Sequence, residues 1–192
     1  RKRSTLRATP SARTYTSWNR NCKHEGGVSE RILGVDPGSA SGGFALYGMG
    51  DDDWEPQLLE VFNLPTMKSK GRGSQVNIIG LRDKLSAVSW THAFIENVQA
   101  RPQEGRGSGF KFGVGCGIIQ GLVIGSGKPF EMVPPSVRKP KLGLNNDKDY
   151  SRTRAIQMFP EMAAAFELKK SHNLAESALI AYFGYMRLES RI

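Results

Sequence analysis

The alternation of apolar and polar positions changes character at residue 31. Residues 1–27 are rich in Arg, Ser and Thr and show no sustained apolar period, a composition that cannot build a core. From Arg31 onward, short apolar runs bounded by turn residues alternate with helical spacings, which predicts an α/β domain. Ile32, Leu33 and Val35 deliver Asp36 to a Pro37-Gly38 turn, and Gly42 to Gly48 heads back, so the first two strands form a β-hairpin. The first strand, Arg31 to Asp36, ends in an acid. Gln57 to Leu64 predicts a third strand, preceded by the acidic loop Asp51, Asp52, Asp53, which reads as a solvated turn before it reads as a cation site. Met67 to Ser74 reads as a Lys/Gly/Arg/Ser loop.

Val76, Ile79, Leu81, Leu85 and Val88 recur at mostly helical spacing and predict a helix over 75–89. Thr91 to Val98 is a buried-type strand, again with a carboxylate, Glu96, near its end. The polar loop Gln99 to Gly109 follows, then a glycine-bearing helix over 110–126 and a strand over Lys128 to Val133, closed by Pro134-Pro135. Ser136 to Leu144 is a basic segment. Asp147 or Asp149 opens a helix that runs through Phe159 and is stopped by Pro160. The last helix runs from His172 to Leu188, with Leu174, Ala175, Ala178, Leu179, Ala181, Tyr182 and Met186 as its apolar face.

Length and composition narrow this picture. The 192 residues suit one domain with a tail, which divides the chain into a basic or targeting-like arm over 1–27 and a folded domain over 28–192. Cys22 and Cys116 stand far apart and suggest neither a zinc site nor a disulfide framework, so a reducing compartment is expected. No apolar run approaches the roughly 20 residues of a spanning helix; the longest, Val114 to Ile124, is short and glycine-rich, and no membrane is expected. The net charge of +9 is unevenly placed. Arg1, Lys2, Arg3, Arg7, Arg13, Arg20 and Lys23 precede the first acid, Glu25, which leaves 20 basic against 18 acidic residues in the remainder. The body must therefore use local patches on any polyanion, while the arm either addresses an organelle or lies on nucleic acid.

Three acids stand out by context: Asp36 and Glu96 at strand ends, and Glu176 in the first half of the last helix. His172 lies four residues before Glu176, so the two share a helix face. Taken singly, each has a plain structural reading: a polar residue opening a turn, a strand end, a helix-terminal His or a helix salt bridge. Taken together they suit hard divalent cations such as Mg²⁺ or Mn²⁺, and two such ions can drive in-line displacement at a phosphodiester.

The stretches Ile32-Leu-Gly-Val-Asp-Pro-Gly-Ser39, Phe94-Ile-Glu-Asn-Val98, Asp147-Lys-Asp-Tyr-Ser-Arg-Thr-Arg-Ala155 with Met158-Phe-Pro160, and Lys169-Lys-Ser-His-Asn-Leu-Ala-Glu-Ser-Ala-Leu-Ile-Ala-Tyr-Phe-Gly184 carry a resemblance. In this order they are similar to the RuvC-type Holliday-junction resolvases of the RNase H-like superfamily, in particular the phage-type and monokaryotic chloroplast branch. The resemblance implies a mixed central sheet flanked by helices, with Asp36, Glu96, His172 and Glu176 as catalytic metal ligands for Mg²⁺ or Mn²⁺. It also implies a homodimer on four-way DNA junctions, and base reading by the loop Arg101 to Gly109. Three departures accompany it. Ser171 stands where relatives carry an acid, Asn173 and Leu174 replace a Gly-Arg pair, and Arg138 takes the place of a tryptophan.

Two functions follow as expectations. One is an organellar, mitochondrial endonuclease that cuts four-way junctions, with Arg101, Arg106, Lys111, Arg138, Lys139, Lys141, Arg152 and Arg154 gripping backbones. The other, motivated by Ser171 and the near-neutral body, is a non-catalytic resolvase fold that binds structured RNA in a mitochondrial ribosome or its assembly particles. A third possibility keeps the fold and cuts a different branched or hybrid substrate.

Overall fold

A computed structural model describes residues 30–50, 55–70, 73–99, 105–190 and 192. The basic arm over 1–27, the acidic loop Asp51 to Asp53 and the Arg101 end of the long loop lie outside the described residues.

The chain begins with three antiparallel strands, β1 (Arg31–Asp36), β2 (Gly43–Met49) and β3 (Pro56–Asn63). After a small ribbon of β4 (Thr66–Lys68) and β5 (Ser74–Val76), helix α1 (Ile78–Ala87) leads to β6 (His92–Glu96). Then come α2 (Arg106–Gly125), β7 (Phe130–Val133), α3 (Pro135–Lys141), α4 (Lys148–Met158), the single turn α5 (Ala163–Phe166) and α6 (His172–Leu188). The main sheet has the order β3-β2-β1-β6-β7, with β6 parallel to both β1 and β7. It is the mixed central sheet flanked by helices that the sequence implies.

Each sheet face has its own core, as the period-2 alternation of the strands requires. On one side Ile32, Ala45, Tyr47 and Phe94 pack against Leu174, Ala178, Leu179 and Phe183 of α6, with Ala155, Phe159 and Phe166 beyond them. On the other, Leu33, Val35, Phe44 and Ile95 pack against Leu81 and Leu85 of α1 and Ile119 and Val123 of α2. Two glycines set how closely α6 lies on the sheet. A Cβ at Gly34 would fall 2.2 Å from the Ser177 carbonyl oxygen, and one at Gly43 would fall 2.1 Å from that of Asn173. Only hydrogen fits at either point, and the polar N-terminal part of α6 is thereby pressed onto the ends of β1 and β2.

Several local expectations are corrected. The segment read as a loop over Met67 to Ser74 contributes to the β4–β5 ribbon, whose register pairs Thr66 with Val76 and Lys68 with Ser74. The basic segment holds a short helix, α3, with Pro134 at its N-cap and Pro135 in its first turn, where a missing N–H costs nothing. Helix α1 is shorter than expected because the Asn77 side chain caps it, accepting from the Gly80 N–H at 3.0 Å. Helix α2 starts four residues earlier than expected. At 20 residues it is, by length and composition alone, long and apolar enough to cross a membrane, which the shorter apolar run had not suggested.

Gly34→Ala is expected to cost about 1–3 kcal/mol by overpacking the β1–α6 contact. The check is a lowered thermal midpoint, against an unchanged or raised one for Gly107→Ala, where nothing lies within 4 Å of the added carbon.

A candidate nucleic-acid cleft with an internally paired floor

Strand parity delivers two of the acids to the same place. In β1, Ile32, Gly34 and Asp36 share the face toward α6, and in β6 His92, Phe94 and Glu96 do the same. Because the parallel register sets Val35 opposite Ile95, Asp36 and Glu96 follow side by side at the sheet's edge. Glu176 arrives from above on α6, and Glu96 and Glu176 are both buried, at 9% and 7% exposure. Three carboxylates in so small a space repel one another. Burial, then Glu96 and Glu176, hold the Asp36 carboxyl well above the usual carboxylate range, with Arg138 and Lys148 opposing in part.

The charge is answered from below by α3. Arg138 is completely buried, and its Nη2 donates to Glu96 Oε1 at 2.6 Å and to Glu176 Oε2 at 2.6 Å. Lys139 Nζ stands 3.6 Å from the other oxygen of Glu176. Burial pushes the Glu176 carboxyl up, but the charges of Arg138 and Lys139, with the hydrogen bond from Arg138, outweigh it and hold the group below its usual range. The guanidinium Nε and Nη1 are buried without an acceptor among the described residues. Arg138 therefore serves these carboxylates chiefly by its charge, delivered through one bridging nitrogen.

This arrangement does not fit a dication. An ion bridging Glu96 and Glu176 must approach their oxygens to about 2.1 Å for Mg²⁺, in space that Nη2 fills, and would meet a fixed positive charge there. Among the described residues, no three His, Cys, Asp or Glu side chains converge closely enough to share an ion.

His172 and its neighbour take up other partners. With its amide oriented to satisfy its contacts, Asn173 donates to Asp36 Oδ2 at 3.2 Å and to His172 Nε2 at 2.6 Å, and accepts from the Gly42 N–H at 3.3 Å. Lys148 Nζ lies 3.3 Å from the same His172 nitrogen, and His172 Nδ1 lies 3.3 Å from the Lys169 carbonyl oxygen. A proton on Nδ1 satisfies all of these, leaving Nε2 as an acceptor whose lone pair is already in use. Behind Asp36, burial and the Asp36 charge push the Cys116 thiol up to about 11, so it stays protonated.

Above the floor lies an open cleft of about 1320 Å³. Asp36, Glu96, His172 and Glu176 all line it, so the four residues expected at one site are brought together. Its walls add the side chains of Asn97, Gln99, Asn145, Asn146, Asn173, Lys139 and Lys148. Of the basic residues expected to grip nucleic acid, Lys139 alone among the described ones lines the cleft, while Arg138 is sealed beneath it. Arg106, Lys111 and Lys141 are exposed elsewhere. Arg152 is tied to Asp149 and to the Glu167 carbonyl, and Arg154 borders a second hollow near Tyr47 and Tyr182. Arg101 lies outside the described residues. Polar cleft residues outside the expected set include Lys148, whose signal is its place one residue after the helix cap Asp147, Asn173, which stood out only as a departure, and the amides Asn97, Gln99, Asn145 and Asn146.

No family model matches the sequence, and no curated protein does. Solved structures match the fold. RuvC of Thermus thermophilus has a TM-score of 0.59 at 16% identity, covering 84% of this chain and 97% of that one. The fold is that of the RuvC-type resolvases. A second structure of T. thermophilus RuvC, in complex with a Holliday junction substrate, matches this chain with a TM-score of 0.56 at 15% identity over 84% and 97%. The yeast mitochondrial Holliday junction resolvase Ydc2 matches with 0.50 at 14% identity, over 84% of this chain and 80% of that one. The sheet order β3-β2-β1-β6-β7 is thus that of a RuvC-type fold, and in this chain it carries two carboxylates at adjacent strand ends above one buried cation.

Arg138→Ala is expected to destabilise the chain by about 3–5 kcal/mol, because it leaves two buried carboxylates without their partner. Asp36→Asn should act in the opposite sense near neutral pH. A carboxyl whose folded pKa is raised opposes folding once it is ionised, so removing its charge raises the thermal midpoint, by roughly 2–4 °C per kcal/mol at this size. Both are read by thermal denaturation.

Proposed function

We propose that this chain binds four-way-branched nucleic acid across its RuvC-type cleft without cutting it. The observation that carries this reading is the paired floor. Asp36, Glu96 and Glu176 are matched in number by Arg138, Lys139 and Lys148, so a phosphodiester meets no uncompensated acidic cage. The amide side chains of Asn97, Gln99, Asn145 and Asn146 donate to phosphate and sugar oxygens, and Lys139 and Lys148 supply the charge-assisted contacts. Recognition of this kind reads the shape of a junction rather than its sequence. A four-way RNA element, as in a mitochondrial ribosome or its assembly particles, offers comparable phosphate geometry and is the second occupant.

A junction with two-fold symmetry calls for a second copy, and α2 provides the face. Gly109, Gly113, Gly117, Gly121 and Gly125 form a row at a spacing of four, with nothing within 4 Å of where a Cβ would lie. Beside this groove runs a ridge of Phe110, Val114, Ile118 and Leu122, of which Phe110 is 74% exposed and Val114 45%. Ridge and groove follow the same inclination, so one copy's ridge fits the other's groove, as in the commonest helix crossing.

Gel-shift titration in a chelating buffer, with four-way DNA, four-way RNA and linear duplex side by side, tests the binding. Tighter retention of a four-way species than of the duplex is expected, with no cleavage product when Mg²⁺ or Mn²⁺ is added. Equal affinity for duplex and junction would contradict the reading, and nicking of the junction would contradict its non-catalytic part. Lys148→Ala should weaken binding and lower the salt slope by about 1, as the loss of one phosphate contact does. For the second copy, light scattering should show a dimer that Gly117→Trp converts to a monomer.

A further inference from the structure

We propose that Arg138 is a cation supplied by the chain itself in place of the dication a carboxylate cage of this shape would gather, so that the cleft neither needs nor takes up Mg²⁺ or Mn²⁺. Three observations meet at this residue. One nitrogen bridges an oxygen of each of two buried carboxylates at 2.6 Å, which is the position of a bridging ion. The side chain is fully buried, so its charge is not screened by solvent and cannot swing aside into water without leaving two buried carboxylates unpaired. Its remaining donors, Nε and Nη1, gain no acceptor, so hydrogen-bonding capacity is given up to hold positive charge at that point.

The neighbouring residues agree. The second oxygen of Glu176 faces Lys139, and one oxygen of Asp36 is held by Asn173. The His172 Nε2 lone pair, which a metal would need, points at the donors of Lys148 and Asn173. Asp36, Glu96, Glu176 and His172 each thus have at least one partner within the protein. A strongly hydrated dication, which gives up its water reluctantly, would have to displace those partners to bind. Arg138 reaches the floor because α3 begins directly after β7 and Pro134-Pro135 fixes its direction, so the position is built into the scaffold.

The test is metal binding by the full chain, in the absence of nucleic acid, so that it stands apart from whether a junction binds. Mn²⁺ is titrated by calorimetry and by electron paramagnetic resonance of the free ion, and the thermal midpoint is followed with and without Mg²⁺. For the wild-type protein we expect no saturable site that depends on Glu96 and no metal-dependent rise in midpoint. In Arg138→Met, which keeps the bulk and removes the charge, a lowered midpoint should be recovered by Mn²⁺, with binding at least about tenfold tighter than in the wild type, or 1.4 kcal/mol. Should Arg138→Met not fold, Arg138→Met combined with Glu176→Gln relieves the unpaired charge and is compared in the same way. Saturable Mn²⁺ binding by the wild type that Glu96→Gln abolishes would overturn the proposal on its own. So would an Arg138→Met protein that folds and binds no more metal than the wild type.

Discussion

Two buried carboxylates sharing one guanidinium nitrogen set the terms for the rest of this structure. Glu96 sits at the end of a central strand and Glu176 on the helix that covers it, so like charges are driven together by the same packing that forms the larger core. Left alone, each would carry the desolvation penalty of a buried ion, several kcal/mol after relaxation. The Arg138 guanidinium offsets both at once and ties α3 to β6 and α6. Such a group is worth little as a net contributor compared with an apolar core of the same volume, yet its removal is severe, because it strands its partners. The interaction is therefore better understood as a constraint on what the site can hold than as a source of stability.

How the carboxylates come to meet is a matter of close packing. With no Cβ at Gly34 or Gly43, α6 lies directly on β1 and β2, and its first turns reach the strand ends instead of standing a layer away. The parallel register of β1 and β6 then sets Asp36 and Glu96 side by side. Neither feature depends on a metal. The scaffold that assembles the acids is thus separate from the cation that neutralises them.

Much of this was legible in the sequence, for physical reasons. The limits of β1 and α6 follow from a strand cut off by Pro37-Gly38 and from a long apolar helical period, and Asp147 announces its helix as a capping residue. Asp36, Glu96, His172 and Glu176 were found together because two strand-end acids and one helix face are local patterns. What was not legible is tertiary. The β4–β5 ribbon pairs Thr-Met-Lys with Ser-Gln-Val, strands too short to show an alternation, and α3 looked like a solvated basic run. Arg138 read as one more surface cation among Lys139 and Lys141; that it points inward depends on the partners 42 and 38 residues away that receive it. In the sequence it stood out only as a departure from the resemblance, with nothing local to mark it as buried.

The central claim is that a protein nitrogen, and not a metal ion, lies between Glu96 and Glu176. Crystals of the full chain soaked in Mn²⁺ and measured at the manganese absorption edge test it directly. The account predicts continuous density from Arg138 to both carboxylates and no anomalous peak between them. An anomalous peak within bonding distance of Glu96 and Glu176, with the Arg138 side chain displaced, would contradict it.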